Sequence, residues 1–202
     1  GEFYRKNFAS MFQYCSNRIP EITDAFYKID DAMKAGFGWE NGPFEIWDAI
    51  GVEKGIELMK AEGYQPASWV TDMLVSGNTS FYSIKDGSTH FYSITNKKVE
   101  KIPGQDAFII LNNIRESKKI WNNSDSIITD LGDGIINLEF TSKMNSIGAG
   151  VLQGINKAID MAEKDYNGLV IGNQGANFSV GANLGMIFMM AVEQEYDELN
   201  IA

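Results

Sequence analysis

The sequence predicts a multidomain α+β chain: an all-α first part, a β-hairpin linker, then a partial α/β unit of order ββαβα. Three observations predict it. Ile22, Phe26, Ile29 and Met33 recur at steps of four, three and four, which places one apolar face on a helix. Phe81-Tyr82-Ser83-Ile84 and Phe91-Tyr92-Ser93-Ile94 are near copies on either side of Asp86-Gly87, the pattern of a β-hairpin. Leu169-Val170-Ile171 runs into a loop holding Gly172, Gly175 and Gly181, and an apolar stretch of helical length follows over residues 184–192.

Residues 1–77 carry helical signals from Phe3 onward. Gly36 is suited to ending the helix of Ile22 and Phe26. Asn41-Gly42-Pro43 restarts the chain, with Pro43 fitted to a first helical position and Gly51 to a stop. Residues 52–62 and 67–74 give two further short helices, followed by Gly63 and Gly77. Short helices joined by tight glycine turns pack as a bundle. Phe37, Trp39, Phe44 and Trp47, clustered around Gly42-Pro43, are expected to pack between two helices. Asp30 and Asp31 are expected to be helix-surface charges.

Residues 78–123 form the linker. Beyond the hairpin the composition turns polar and mixed (Lys97, Lys98, Glu100, Lys101, Arg115, Lys118, Lys119), so the rest is expected to be a connector with an apolar anchor at residues 108–111. Residues 124–202 form the α/β part. There, residues 126–131 and 135–140 flank Gly132-Asp133-Gly134 as a second hairpin. Ile147, Val151, Ile155, Ile159 and Ala162 then fall at steps of four, four, four and three, one face of a helix running to about Lys164. The strand, glycine loop and final helix come next. Glu193, Glu195, Asp197 and Glu198 read as a solvated end.

Composition narrows the function. The chain has 202 residues, 44% hydrophobic and 22% charged, as expected for a globular protein. A net charge of −10 argues against a nucleic-acid surface, which needs a basic face. The apolar run over residues 186–192 is too short for a membrane span. The single cysteine, Cys15, excludes an internal disulfide and is compatible with a reducing cytoplasm; it reads as packing. One Cys and one His, His90, cannot build a zinc site, and His90 in a predicted hairpin is a poor base for a serine or cysteine hydrolase.

The glycine loop carries the chemistry. Strand, glycine-rich loop and helix aim unpaired backbone N–H groups at whatever sits above the helix start. No Lys or Arg occurs after Lys164, and the G-x-x-x-x-G-K-[ST] phosphate cradle is absent. A neutral carbonyl oxygen that gains charge only during reaction suits such a loop better than a polyphosphate. An ordinary tight turn closing a βα unit is the alternative. Residues 148–154, GAGVLQG, depart from the dinucleotide fingerprint by one residue and follow no strand. No acid or base accompanies the loop, so the residues describe half an active site.

Two stretches resemble known families. Residues 29–51, IDDAMKAGFGWENGPFEIWDAIG, look like the C-terminal helical domain of 3-hydroxyacyl-CoA dehydrogenases, whose hallmark is D-x-A-M-x-x-G…G-P-F-E-x-x-D-x-x-G. The preceding Arg18-Ile19-Pro20-Glu21-Ile22 resembles the second copy of that domain in multifunctional β-oxidation proteins. Residues 124–202 are similar to the start of an enoyl-CoA hydratase (crotonase) domain, through the hairpin, Lys143-Met144-Asn145-Ser146-Ile147 and Asn177-Phe178-Ser179-Val180-Gly181-Ala182-Asn183-Leu184. In this order they resemble a bacterial multifunctional fatty-acid oxidation protein.

The resemblance implies that the first oxyanion-hole N–H is that of Ala182, and that Lys143, Met144 and Val180 line a CoA pocket. Asn183 stands where the family commonly has Asp. It implies acyl-CoA as substrate, and NAD as cofactor of a larger protein whose NAD-binding domain and catalytic glutamates lie outside these residues. The chain is then expected to be an internal segment, Gly1 a cloning remnant, inactive by itself and able to self-associate through an exposed sheet edge. The rival reading is a non-catalytic helical interaction module.

Overall fold

The computed structural model describes residues 1–197; Glu198 of the acidic end lies outside the described residues. The chain divides into two compact units, Gly1–Phe108 and Ile109–Ala202.

In the first unit, helix α1 spans Glu2–Asn17 and buries Ala9, Phe12 and Ser16, spaced three and four apart along one face. Helix α2 spans Tyr27–Phe37 and begins later than the periodicity suggested. Ile22 lies before it and is 65% exposed, because the Thr23 hydroxyl accepts the Ala25 N–H (3.3 Å) and holds residues 23–25 in a turn. The helix passes through Gly36 and ends at Gly38, whose φ of 66° is the left-handed conformation that favours glycine at a helix stop. Helices α3 (Pro43–Ile50), α4 (Val52–Ala61) and α5 (Ser68–Val75) fall where Pro43, Gly51 and the apolar spacing placed them.

The hairpin gains a third strand. Strands β1 (Tyr82–Lys85), β2 (Ser88–Ser93) and β3 (Lys98–Lys101) form an antiparallel meander, with Tyr82 opposite Phe91 and Tyr92 opposite Val99. Phe81, Phe91 and Tyr92 are buried in one cluster with Phe12, Phe26, Phe44, Trp47 and Trp69. Helices and meander therefore share one aromatic core. Trp47 stacks on Phe12 at 4.7 Å and meets Phe81 edge-on at 5.0 Å. Phe37 and Trp39 stand outside it, 75% and 39% exposed, since the turn at Gly38 carries them off the buried face.

In the second unit the polar stretch expected to be irregular forms helix α6 (Leu111–Lys118) and strand β4 (Lys119–Asn122). Strands β5 (Ser126–Gly132) and β6 (Ile135–Phe140) are the second hairpin. Helix α7 (Ala149–Asp165) crosses over to strand β7 (Gly168–Ile171), and helix α8 spans Leu184–Val192. The sheet order is β4-β5-β6-β7, and β7 runs parallel to β6, as a helical crossover requires. Ile128, Ile136, Leu138, Phe140, Val151 and Ala158 form the core. The buried face of α7 runs through Val151, Gly154 and Ala158. Ile147 precedes α7 and Ile159 is 42% exposed, so the apolar series reaches beyond that face at both places. Glu193, Glu195 and Asp197 are exposed. Among the described residues, no helix is long and apolar enough to cross a membrane.

Candidate functional site

The acidic residues of the first motif do structural work. Asp30 is fully buried, not a surface charge. Its Oδ1 accepts the Phe44 N–H (2.9 Å); its Oδ2 accepts the Glu45 N–H (3.2 Å) and the Tyr82 hydroxyl (2.6 Å). The carboxylate thus caps α3 from α2, where the unpaired N–H groups and the helix dipole favour negative charge. A Cβ on Gly42 would overlap the Asp30 side chain, so only glycine lets α2 approach. Glu45 accepts the Gly42 N–H (2.7 Å) and an ion pair from Lys34 (2.7 Å). Asp48 in turn accepts the Phe81 and Tyr82 N–H groups, both at 2.8 Å, and fixes the start of the meander. Burial pushes both carboxyls up to about 6, against the pull of their hydrogen bonds. Cys15 is half-buried against this core, and burial, with the nearby Asp30 charge, pushes its thiol up to about 11. That is an unreactive thiol.

In the second unit two loops are laced together. The turn after β6 includes Met144 and Asn145, both left-handed at φ 56° and 54°. For a methionine this is an uncommon conformation, held by its neighbours. Asn145 Nδ2 donates to the Asn177 carbonyl (3.0 Å), and the Ser179 hydroxyl donates to the Asn145 carbonyl (2.6 Å). Ile147 N–H donates to the Gly181 carbonyl, and Asn183 N–H to the Ile147 carbonyl, both at 2.8 Å. These two bonds make a one-residue parallel bridge between Ile147 and Ala182. In a parallel bridge the paired residue's own N–H points to the opposite side. Among the described residues the Ala182 N–H has no hydrogen-bond acceptor.

The structure brings the named residues into two adjoining segments. Lys143 and Met144 are exposed on the turn, Val180 and Ala182 are exposed on the loop, and Asn183 follows. Asn183 is the N-cap of α8: its Oδ1 accepts the Gly185 and Met186 N–H groups at 3.1 and 3.4 Å. Gly181, at φ 89°, turns the chain just before Ala182. The helix start is therefore partly occupied by its own side chain, which takes the Gly185 and Met186 N–H groups, while the Ala182 N–H one residue before the cap keeps no acceptor.

Beside the loop sits a polar cavity of about 280 Å³ lined by Arg115, Glu139, Asn145, Asn173 and Gln174, among others. Glu139 is buried, and Arg115 grips it with Nε at 3.1 Å and Nη2 at 2.8 Å. That pair raises the Arg115 guanidinium above its usual range. Gln174 accepts the Leu111 N–H (2.6 Å) and donates to the Ile109 carbonyl (2.6 Å), so the loop is tied to the start of α6. Sequence reasoning passed over these residues. Their partners lie 24 and about 64 positions away, and the one available signal was an acid, Glu139, inside a mostly apolar strand.

The chain is similar to long bacterial proteins. One, from Bacillus subtilis, is named "Probable 3-hydroxyacyl-CoA dehydrogenase"; it is 41% identical over 188 residues, 93% of this chain and 24% of that protein. Two more, from Rickettsia felis and Rickettsia prowazekii, are each named "Putative fatty acid oxidation complex trifunctional enzyme". They are 25% and 26% identical over 199 residues, 98% of this chain and 25% of theirs. The chain spans about a quarter of the length of these curated relatives. No protein-family model matches it. No solved structure matches it.

Proposed function

We propose that this chain is a segment of a fatty-acid β-oxidation enzyme, a 3-hydroxyacyl-CoA dehydrogenase joined to an enoyl-CoA hydratase. It supplies a helical scaffold and the first half of an acyl-CoA oxyanion site. One observation supports this above the rest: the Ala182 N–H stands without an acceptor, one residue before a capped helix, on a loop braced from both sides. The names of the long relatives favour the same chemistry. In this reading the thioester carbonyl oxygen accepts that N–H, and the bond strengthens as the oxygen gains enolate charge. Loss of one such donor costs about 3–4 kcal/mol of barrier. Met144 and Val180 offer exposed apolar surface to the CoA arm, and Lys143 an exposed charge to its phosphates.

NAD belongs to the parent activity but does not fit these residues. The Asn183 side chain takes the Gly185 and Met186 N–H groups at the start of α8, two of those a pyrophosphate would use, and no cation stands on the loop. The reading also carries a cytoplasmic location, in keeping with the lone Cys15, and self-association through the edge strand β7. Isothermal titration of the 202-residue chain with butyryl-CoA tests the proposal. Binding that is lost in Ala182→Pro, which deletes the N–H, supports it. No binding by the unaltered chain favours a helical interaction module instead. Turnover of crotonyl-CoA by this chain alone would contradict the half-site.

A further inference from the structure

Strand β7 ends in an unusual exchange of partners. The last backbone bond of its ladder is Gly172 N–H to the Leu138 carbonyl (3.1 Å). In a regular parallel pair, the next donor on β6, the Phe140 N–H, would reach the Gly172 carbonyl. Here the buried Asn137 side chain donates to that carbonyl (3.2 Å), and Phe140 N–H donates to Asn173 Oδ1 (2.7 Å). A side-chain amide has replaced the backbone carbonyl. The main chain is thereby free to leave the sheet while β6 keeps its acceptor.

The other end of the same amide closes the loop. Asn173 Nδ2 donates to the Phe178 carbonyl (2.7 Å), five residues on. Beyond Phe178 the chain passes to Ser179, whose hydroxyl accepts the Gly181 N–H (3.0 Å), and then to Ala182. One planar group thus sets both where the loop departs and where it returns. We propose that Asn173 is a positioning residue: its amide, spanning Phe140 N–H and the Phe178 carbonyl, aims the Ala182 N–H. That aim matters for acyl-CoA only if the reading of the loop as an oxyanion site holds. The positioning itself does not depend on it.

Asn173→Asp separates the two ends, since a carboxylate keeps the acceptor for Phe140 and loses the donor to Phe178. Hydrogen exchange of the Gly181 amide, the bonded one of residues 177–182, is expected to quicken about tenfold and that of β5 and β6 to stay unchanged. The Kd for butyryl-CoA should rise about tenfold in parallel. Asn173→Ala, lacking both ends, should also expose Phe140 N–H to exchange. Unchanged exchange at the Gly181 amide, or full butyryl-CoA affinity in a loosened loop, overturns the proposal. If the unaltered chain binds no butyryl-CoA, the oxyanion reading falls, and exchange alone still decides what Asn173 does. Should the variants fail to fold, the unaltered chain carries the test under mild urea. The Phe140 and Gly181 amides must then open with the same free energy, and independent opening counts against the clasp.

Discussion

The two units fasten their loops by different means. The first uses ionised carboxylates on backbone N–H groups, Asp30 on α3 and Asp48 on the meander, set in a core of stacked aromatic rings. The second has a smaller aliphatic core and holds its loop with neutral amides, Asn145, Asn173 and Gln174. Charge used in the first unit is buried at Asp30, half-buried at Asp48, and committed to backbone N–H groups. Amides in the second tie the loop down yet leave the Ala182 N–H, among other main-chain N–H groups of the loop, without an acceptor. The acidic residues of the first motif are thus explained by folding.

The largest test of this contrast is Trp47→Ala. Trp47 is fully buried, stacked on Phe12, and donates Nε1–H to the Val52 carbonyl (3.0 Å). Its removal should destabilise the first unit by about 3–5 kcal/mol, read from urea unfolding of the peptides of residues 1–108 by hydrogen exchange. Comparable protection in the variant would mean that the aromatic core is not what holds that unit.

Next is Arg115→Ala, which strands the buried Glu139 carboxylate. Because Arg115 is itself part-exposed, a loss of about 2–3 kcal/mol in the second unit is expected, less than a fully buried pair would show. The double change with Glu139→Leu should recover most of it. A double variant as unstable as the single one would show that the ion pair, rather than the stranded charge, matters.

The smallest effect is on pH. Asp30 and Asp48 have folded values near 6, above the ordinary 3.8, so the folded unit binds protons more readily than the unfolded chain between those limits. Their contribution to stability is fully present below about pH 4 and is lost as pH rises through 6. The first unit should therefore gain on the order of 1 kcal/mol per carboxyl on going from pH 7.5 to 5. Asp48→Asn should flatten that slope. A first unit that weakens over the same interval, by thermal unfolding, contradicts the burial argument. These neutral-pH costs also explain why the carboxyls need two backbone donors each.

Much of this fold was legible from local chemistry. Pro43 and Gly51 bracket α3, and glycine turns mark both hairpins, whereas α2 runs through the expected stop at Gly36 and ends at Gly38. What misled was periodicity used beyond its reach. Ile22 continued a helical spacing into a Thr23 turn, and Asp30 sat where a surface charge was expected. The polar stretch before Ser124 hid α6, β4 and the third strand of the meander, because edge strands and part-exposed helices carry little apolar signal.

The glycine loop was also visible, as were the absence of cations on it and the place of Ala182 ahead of a helix. By itself the sequence determined the elements whose causes lie within a turn or two: the start and stop of α3, the hairpin turns and most of the length of α7. Only the tertiary structure decided where the polar side chains end. Asp30 reaches Tyr82 across 52 residues, Arg115 reaches Glu139 across 24, and Gln174 reaches Leu111 across 63. A buried polar group must find a partner, and nothing in its neighbours along the chain says which distant N–H or carboxylate the fold will bring to it.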